Sequence, residues 1–247
     1  MNKTAKNWDI ARELYGYPFD LTVFHRRNEF SENFFTLKSD GNRKSTILFE
    51  KYYQDNAKSH IEVYIEVLFW KLYSKRSRNT ETFDSNDWYN RAITTIKNSS
   101  SAVFWDDISN FHKNFSLGNF NECKEYYRQI ARKMFINNKL IIPLTFVALA
   151  FPDFFPMIDT VVISWIEKKI PDHNKNRKNH LRKFSDPYQP TIDTDFRSYV
   201  QWVLWCQESA SILNEISQYS DWRPRDVEMA VFTYQRMNLG DQLEILG

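Results

Sequence analysis

The stretch that decides the fold runs from Lys139 to Trp165 and reads KLIIPLTFVALAFPDFFPMIDTVVISW. It predicts an apolar, buried helix, then a turn that contains prolines, then a second apolar helix that begins just after Asp159. Lys139 stands at the entrance of the first helix, twenty residues before Asp159. A lysine and an aspartate at the starts of two helices can meet in one cleft when a single buried helix joins them. That pairing suits imine chemistry, because an amine with a depressed pKa is nucleophilic and a nearby carboxylate can handle its protons.

The rest of the chain also has helical periodicity, and strand patterns are weak. We therefore predict an all-α fold, one domain over residues 1–247, with two helical lobes around a central cleft. Residues 1–45 lack a clean period and are expected to wrap the domain. The clearest predicted helices are His60–Ser74, Ser101–Phe115, Asn121–Met134, Phe196–Ile216 and Pro224–Met237.

The composition allows a large core, but it does not by itself indicate a nucleic-acid-binding protein. Of the 247 residues, 42% are hydrophobic and 17% aromatic, so a sizeable core can be buried. The net charge is only +2, so binding to nucleic acid requires a local basic patch. Residues 171–194 form a basic surface loop that includes Arg177, and either solvent or phosphate can satisfy its charges. A second basic cluster, with Lys75 and Arg76, ends the central helix, where cations also suit the helix dipole.

Several kinds of protein are disfavoured by what the sequence lacks. Cys123 and Cys206 lie far apart in apolar contexts, which is typical of buried thiols. The five histidines have no HExxH spacing, and GxGxxG and P-loop patterns are missing, so we expect no metal and no cofactor. The longest apolar run is too short to span a bilayer and contains Pro143. We expect a cytoplasmic protein without membrane contact.

The second half of the opening stretch resembles a known motif. Pro156-Met157-Ile158-Asp159-Thr160-Val161-Val162 is similar to the Pro-x-x-Asp-x-x-Val motif of the helix-hairpin-helix DNA glycosylases. The spacing from Lys139 is similar to that of the archaeal 8-oxoguanine DNA glycosylase/AP lyase branch. The resemblance implies that Lys139 and Asp159 are catalytic. The family hairpin usually reads Leu-Pro-Gly-x-Gly, whereas this chain has Phe135-Ile136-Asn137-Asn138. Asparagine tolerates the left-handed conformation, so a hairpin is still expected, with Asn137 and Asn138 at the DNA backbone.

The last predicted helix extends the resemblance to a base pocket. In the archaeal branch a C-terminal helix carries an acidic residue and, four residues later, an aromatic residue. Glu228 and Phe232 match that pattern, and Asp226 is a competing acid near the exposed start of the helix. Trp70 is a candidate for a second stacking face, since aromatic faces stack on a flipped base.

Together these features imply base-excision repair of DNA. The resemblance implies a DNA glycosylase with AP lyase activity, which removes an oxidised purine such as 8-oxoguanine by Schiff-base chemistry. Its partner would be double-stranded DNA containing a damaged base, and we expect a monomer. The alternative is a non-catalytic all-α module that binds nucleic acid or another protein. That alternative explains the mild basicity and the missing hairpin glycines without any chemistry.

Overall fold

The fold is described from a computed structural model, which covers residues 3–16, 19–20, 38–39, 43–76, 87–135, 138–168 and 170–237. This part of the chain is predominantly helical, which confirms the all-α prediction. Two short strands, β1 (Phe19–Asp20) and β2 (Lys38–Ser39), pair antiparallel. The helices are α1 (Lys3–Glu13), α2 (Arg43–Asn56), α3 (Glu62–Arg76), α4 (Asp87–Lys97), α5 (Ser101–Ser116), α6 (Phe120–Lys133), α7 (Ile141–Ala150), α8 (Thr160–Lys168), α9 (Ile170–Asn174), α10 (Ile192–Ile216) and α11 (Pro224–Met237).

The chain divides into two compact units. The contiguous unit is Tyr17–Ala150, and the discontinuous unit combines Met1–Gly16 with Phe151–Gly247. The predicted wrapping segment 1–45 is therefore shared between them. Only its residues 3–16, 19–20, 38–39 and 43–45 are described, and the remainder lies outside the described residues.

In the contiguous unit, the core forms around two helices that are apolar on most faces. Every residue from Val63 to Trp70 on α3 is buried, as expected for a helix without a polar face. Helix α7 is buried from Pro143 to Ala150 and packs against α2, α3 and α5. Tyr64 stacks on Phe146 with ring centroids 5.8 Å apart, so aromatic side chains join these two helices.

In the discontinuous unit, the first helix completes a core that is otherwise built from the end of the chain. Helix α1 packs against α11. Trp8 meets Trp222 edge-on at 6.5 Å between ring centroids. Arg12 is 1% exposed, and its Nη2 donates to the Asp221 carboxylate at 2.7 Å. Its guanidinium also lies 4.8 Å from the ring centroid of Trp222. Residues near both ends of the chain thus share one interior.

Some helix ends agree with those expected from the local sequence, and others do not. Helix α11 has the predicted bounds, with Pro224 at its first position. Asn119 stands at the N-cap of α6, but its side chain makes no capping hydrogen bond. Helix α8 ends at Lys168, and Pro171 lies in the first turn of α9. No described helix combines the length and apolar character needed to cross a membrane.

Candidate functional site

The connection between α6 and α7 is described at residues 134–135 and 138–140. At its start, the Phe135 N–H donates to the Arg132 carbonyl at 3.0 Å. Phe135 has φ +57° and Asn138 has φ +59°, so both adopt the left-handed conformation. Asn138 thus adopts the conformation that asparagine tolerates, while the hairpin and its contact with DNA stay predictions. Asn137 lies outside the described residues.

The end of this connection carries Lys139, and its backbone is held by a side chain of α6. The buried Tyr127 hydroxyl lies 2.6 Å from the Lys139 carbonyl oxygen and 2.5 Å from that of Leu140, so its single proton serves both acceptors. Pro143 is the third residue of α7, in the first turn, where a missing N–H costs no helical bond. The backbone of Lys139 is therefore held in this connection while its side chain is exposed.

Asp159 is the N-cap of α8. Its Oδ1 accepts from the N–H groups of Val161 and Val162, both at 2.9 Å. These are donors that a helix start would otherwise leave unpaired. The cap occupies one carboxylate oxygen, and the side chain is half-buried. Lys139 belongs to the contiguous unit and Asp159 to the discontinuous unit, so their meeting in one site stays a prediction.

The two carboxylates proposed for the base pocket are not exposed. Asp226 is 0% exposed and accepts from the backbone N–H of Arg223 at 3.1 Å and from its Nε at 2.9 Å. Glu228 is 3% exposed and forms an ion pair with the fully buried Arg225. The exposure predicted for both acids is wrong, because two arginines at the start of the same helix draw them into buried pairs.

The two aromatic candidates are also buried. Phe232 meets Tyr15, which lies two residues after the end of α1, edge-on at 5.8 Å between ring centroids. Trp70 is 0% exposed and lies against Phe49 of α2 at 5.6 Å, in the contiguous unit. These contacts are those of core aromatics, and a stacking role remains a prediction.

The basic surface loop 171–194 is anchored by its central arginine. The Arg177 guanidinium lies 4.5 Å from the ring centroid of Trp205 and donates to the Trp205 carbonyl at 3.2 Å and to the Ser209 hydroxyl. Glu208 accepts from the backbone N–H groups of Lys178 and Asn179, at 3.0 and 2.8 Å. Burial raises the pKa of Glu208, but these bonds and Arg177 outweigh it and lower that pKa. Arg177 is thus not the phosphate contact that the charge cluster suggested.

The second basic cluster, which was also predicted to contact the DNA backbone, lies at the end of α3. Lys75 and Arg76 close that helix, but their side chains lie outside the described part of the structure. Among the described residues, no group of three or more His, Cys, Asp or Glu side chains is arranged to hold a metal ion.

One buried acid was missed in the sequence analysis, Glu66 in the second turn of α3. It is 0% exposed, and burial raises its pKa to about 8. A hydrogen bond from Tyr52 acts in the opposite direction, and the charge of Glu62 raises the pKa further. The signal that could have found it is a lone carboxyl inside a helix that is apolar on most faces.

Comparisons of the chain with protein-family models, with curated proteins and with solved structures gave no match. The candidate site is accordingly described by its own geometry. Its two predicted catalytic residues are described separately: Lys139 is exposed in the contiguous unit, and Asp159 caps α8 in the discontinuous unit.

Proposed function

We propose that this chain is a DNA glycosylase with an associated AP lyase activity, acting on an oxidised purine such as 8-oxoguanine. The observation that supports this most is the order of elements from α6 to α8. Two left-handed residues between α6 and α7 are followed by an exposed lysine, a buried helix and a helix capped by aspartate. The family that the sequence resembles has the same order.

The proposed chemistry begins at Lys139. Its neutral amine attacks C1′ of a flipped nucleotide, so that a bond forms between Nζ and C1′ while the glycosidic bond breaks. The electron pair leaves with the base, which takes up the proton that the amine loses. The C1′–O4′ bond of the sugar ring then breaks, O4′ takes up a proton from solvent, and a protonated imine forms between Nζ and C1′. This imine loses a proton from C2′, and the bond between C3′ and the 3′ phosphate oxygen breaks by β-elimination. The Asp159 carboxylate opposes the positive charge that develops on the sugar.

Two features of the described residues fit these roles. The Lys139 side chain is exposed while Tyr127 holds its backbone, so the amine can reach a substrate from a fixed point. The Asp159 cap uses Oδ1 for both N–H groups, which leaves the carboxylate half-buried at the start of α8. The contacts of α8 hold that charge in place independently of substrate.

Borohydride trapping tests the proposal directly, because borohydride reduces the imine to a stable covalent link. The protein is incubated with short duplexes that each carry one damaged base or an AP site. We expect wild-type protein to be trapped and Lys139→Gln to be trapped not at all. Lys58→Gln, which changes another exposed lysine of the contiguous unit, is the matched control and should be trapped like wild type. Trapping that survives Lys139→Gln would assign the amine elsewhere.

The second candidate is a non-catalytic all-α module that binds nucleic acid or another protein. The buried ion pairs of Asp226 and Glu228 favour it, because they occupy the acids that a base pocket would need. This candidate predicts binding without a covalent product. Wild-type protein that binds an AP-site duplex but is never trapped would decide in its favour.

A further inference from the structure

Phe135, which directly follows the C-cap Met134 of α6, is exposed and conformationally strained. Its side chain is 49% exposed, although aromatic side chains are usually buried. Its φ of +57° is rare for any residue with a Cβ and costly for a bulky one. Such strain persists where the surrounding structure enforces it, and it concentrates at binding and catalytic sites. The ring is therefore held outside the core by its own backbone.

The surroundings of Phe135 are basic. The Arg91 guanidinium of α4 lies 5.8 Å from the centroid of its ring, within range of a cation–π contact. Arg132, one turn earlier on α6, is exposed. From Tyr126 to Ala150 the sequence contains four basic residues and no acidic one. Arg128 pairs with Glu125 and Lys133 with Asp107, so near Phe135 the charge that suits a polyanion comes from Arg91 and Arg132.

The last turn of α6 is also attached firmly to its neighbour. The Lys133 side chain forms an ion pair with the Asp107 carboxylate of α5 and donates to the Val103 carbonyl at 3.4 Å. Lys133 is thus committed to holding the helix pair together. Phe135 follows two residues later, so its ring is presented from a supported helix end.

We propose that Phe135, Arg91 and Arg132 form a wedge that contacts DNA, in which the Phe135 ring stacks on a base at a strand distortion and the two arginines contact the flanking phosphates. Any base offers a face to an aromatic ring, and apolar side chains inserted at base steps hold a duplex open. Guanidinium groups supply the sequence-independent part of the affinity. The inference rests on the DNA-binding part of the proposed function, and it adds a residue that opens the duplex.

The test uses Phe135→Asn, because asparagine tolerates the left-handed conformation and so preserves the backbone there. The probe is a short duplex with a tetrahydrofuran AP-site analogue and 2-aminopurine as the neighbouring base. We expect Phe135→Asn to lower affinity for this duplex about tenfold. The 2-aminopurine signal should rise with wild type and stay flat with the variant. Phe135→Trp should retain both effects, and thermal unfolding of Phe135→Asn should occur no earlier than that of wild type.

Charge variants give a second, independent readout. Arg91→Gln and Arg132→Gln should each lower the slope of log affinity against log salt by about 1, whereas Phe135→Asn leaves it unchanged. Tyr188→Ala, which removes an aromatic side chain that is 78% exposed in the discontinuous unit, is the matched control and should bind normally.

The outcomes separate this inference from the proposed function. Phe135→Asn that binds and unstacks the duplex like wild type overturns the wedge, even if wild type is trapped by borohydride. If Phe135→Asn binds the duplex more weakly than wild type does, and wild type is never trapped by borohydride, the wedge is supported and the glycosylase is refuted. A wild-type protein that binds none of these duplexes overturns both.

Discussion

Replacing Asp159 separates two roles that one carboxylate can hold, capping a helix and stabilising charge on a substrate. Asp159→Ala removes the acceptor of both α8 N–H bonds and should lower the free energy of unfolding by about 1 kcal/mol. Asp159→Asn keeps an oxygen in the capping position. It loses only the attraction between a negative charge and the helix start, roughly 0.5 kcal/mol at a partly exposed site.

The catalytic role has a different magnitude. If the Asp159 charge stabilises the developing positive charge on the sugar, Asp159→Asn should slow base release by about 100-fold, which corresponds to about 3 kcal/mol of barrier. The same substitution would thus cost several times more in rate than in stability. If Asp159 is only a helix cap, Asp159→Asn should cause a small loss of stability and no change in the rate of base release.

The two measurements should be made on the same protein preparations. Single-turnover excision with protein in excess reports the rate of base release, and denaturant unfolding reports stability. Thr191→Ala is the control, because Thr191 caps α10 in the same unit and its loss should reduce stability without changing the rate. Full excision by Asp159→Asn would refute the catalytic reasoning and leave the cap as the sole role.

Two further predictions concern buried charges. Since the folded-state pKa of Glu66, about 8, lies above that of the unfolded chain, its contribution to stability is present below about pH 4.5 and is lost as the pH rises towards 8. That loss is on the order of 5 kcal/mol. In Glu66→Gln the free energy of unfolding should therefore depend much less on pH over the same range. Arg177→Met should lower stability by about 3 kcal/mol, because it leaves buried acceptors unpaired, while DNA affinity stays unchanged. Lys178→Ala is its control and should be neutral, since Glu208 bonds only the Lys178 backbone N–H. If Arg177→Met lost DNA affinity, the interpretation of Arg177 as a phosphate contact would be correct after all.

Local signals in the sequence were enough for most helices and for the Asp159 cap. Helix α11 follows from a proline at the first position, and α3 from apolar residues on all faces. The Asp159 cap follows from an acid directly before an apolar helix. Each of these features depends on residues within a few positions of one another.

The environment of the charged side chains could not be predicted in the same way. Arg177 stands among lysines and polar residues, yet its partners Trp205 and Ser209 lie 28 and 32 residues further on. Asp226 and Glu228 look accessible at a helix start, but Arg223 and Arg225 pair with them inside the fold. The left-handed conformation of Phe135 has no local signal, because nothing in the residue type favours it.

The composition of the discontinuous unit has a consequence for the order of synthesis. Arg12 and Asp221, which pair in the mature unit, are 209 residues apart. At about 5–20 residues per second, a ribosome needs roughly 10–40 s to make the second after the first. During that time the contiguous unit can fold as it emerges, while Trp8 of α1 and the nearby Tyr15 lack their partners Trp222 and Phe232. A chaperone that binds short apolar helices on nascent chains therefore has its longest opportunity at α1.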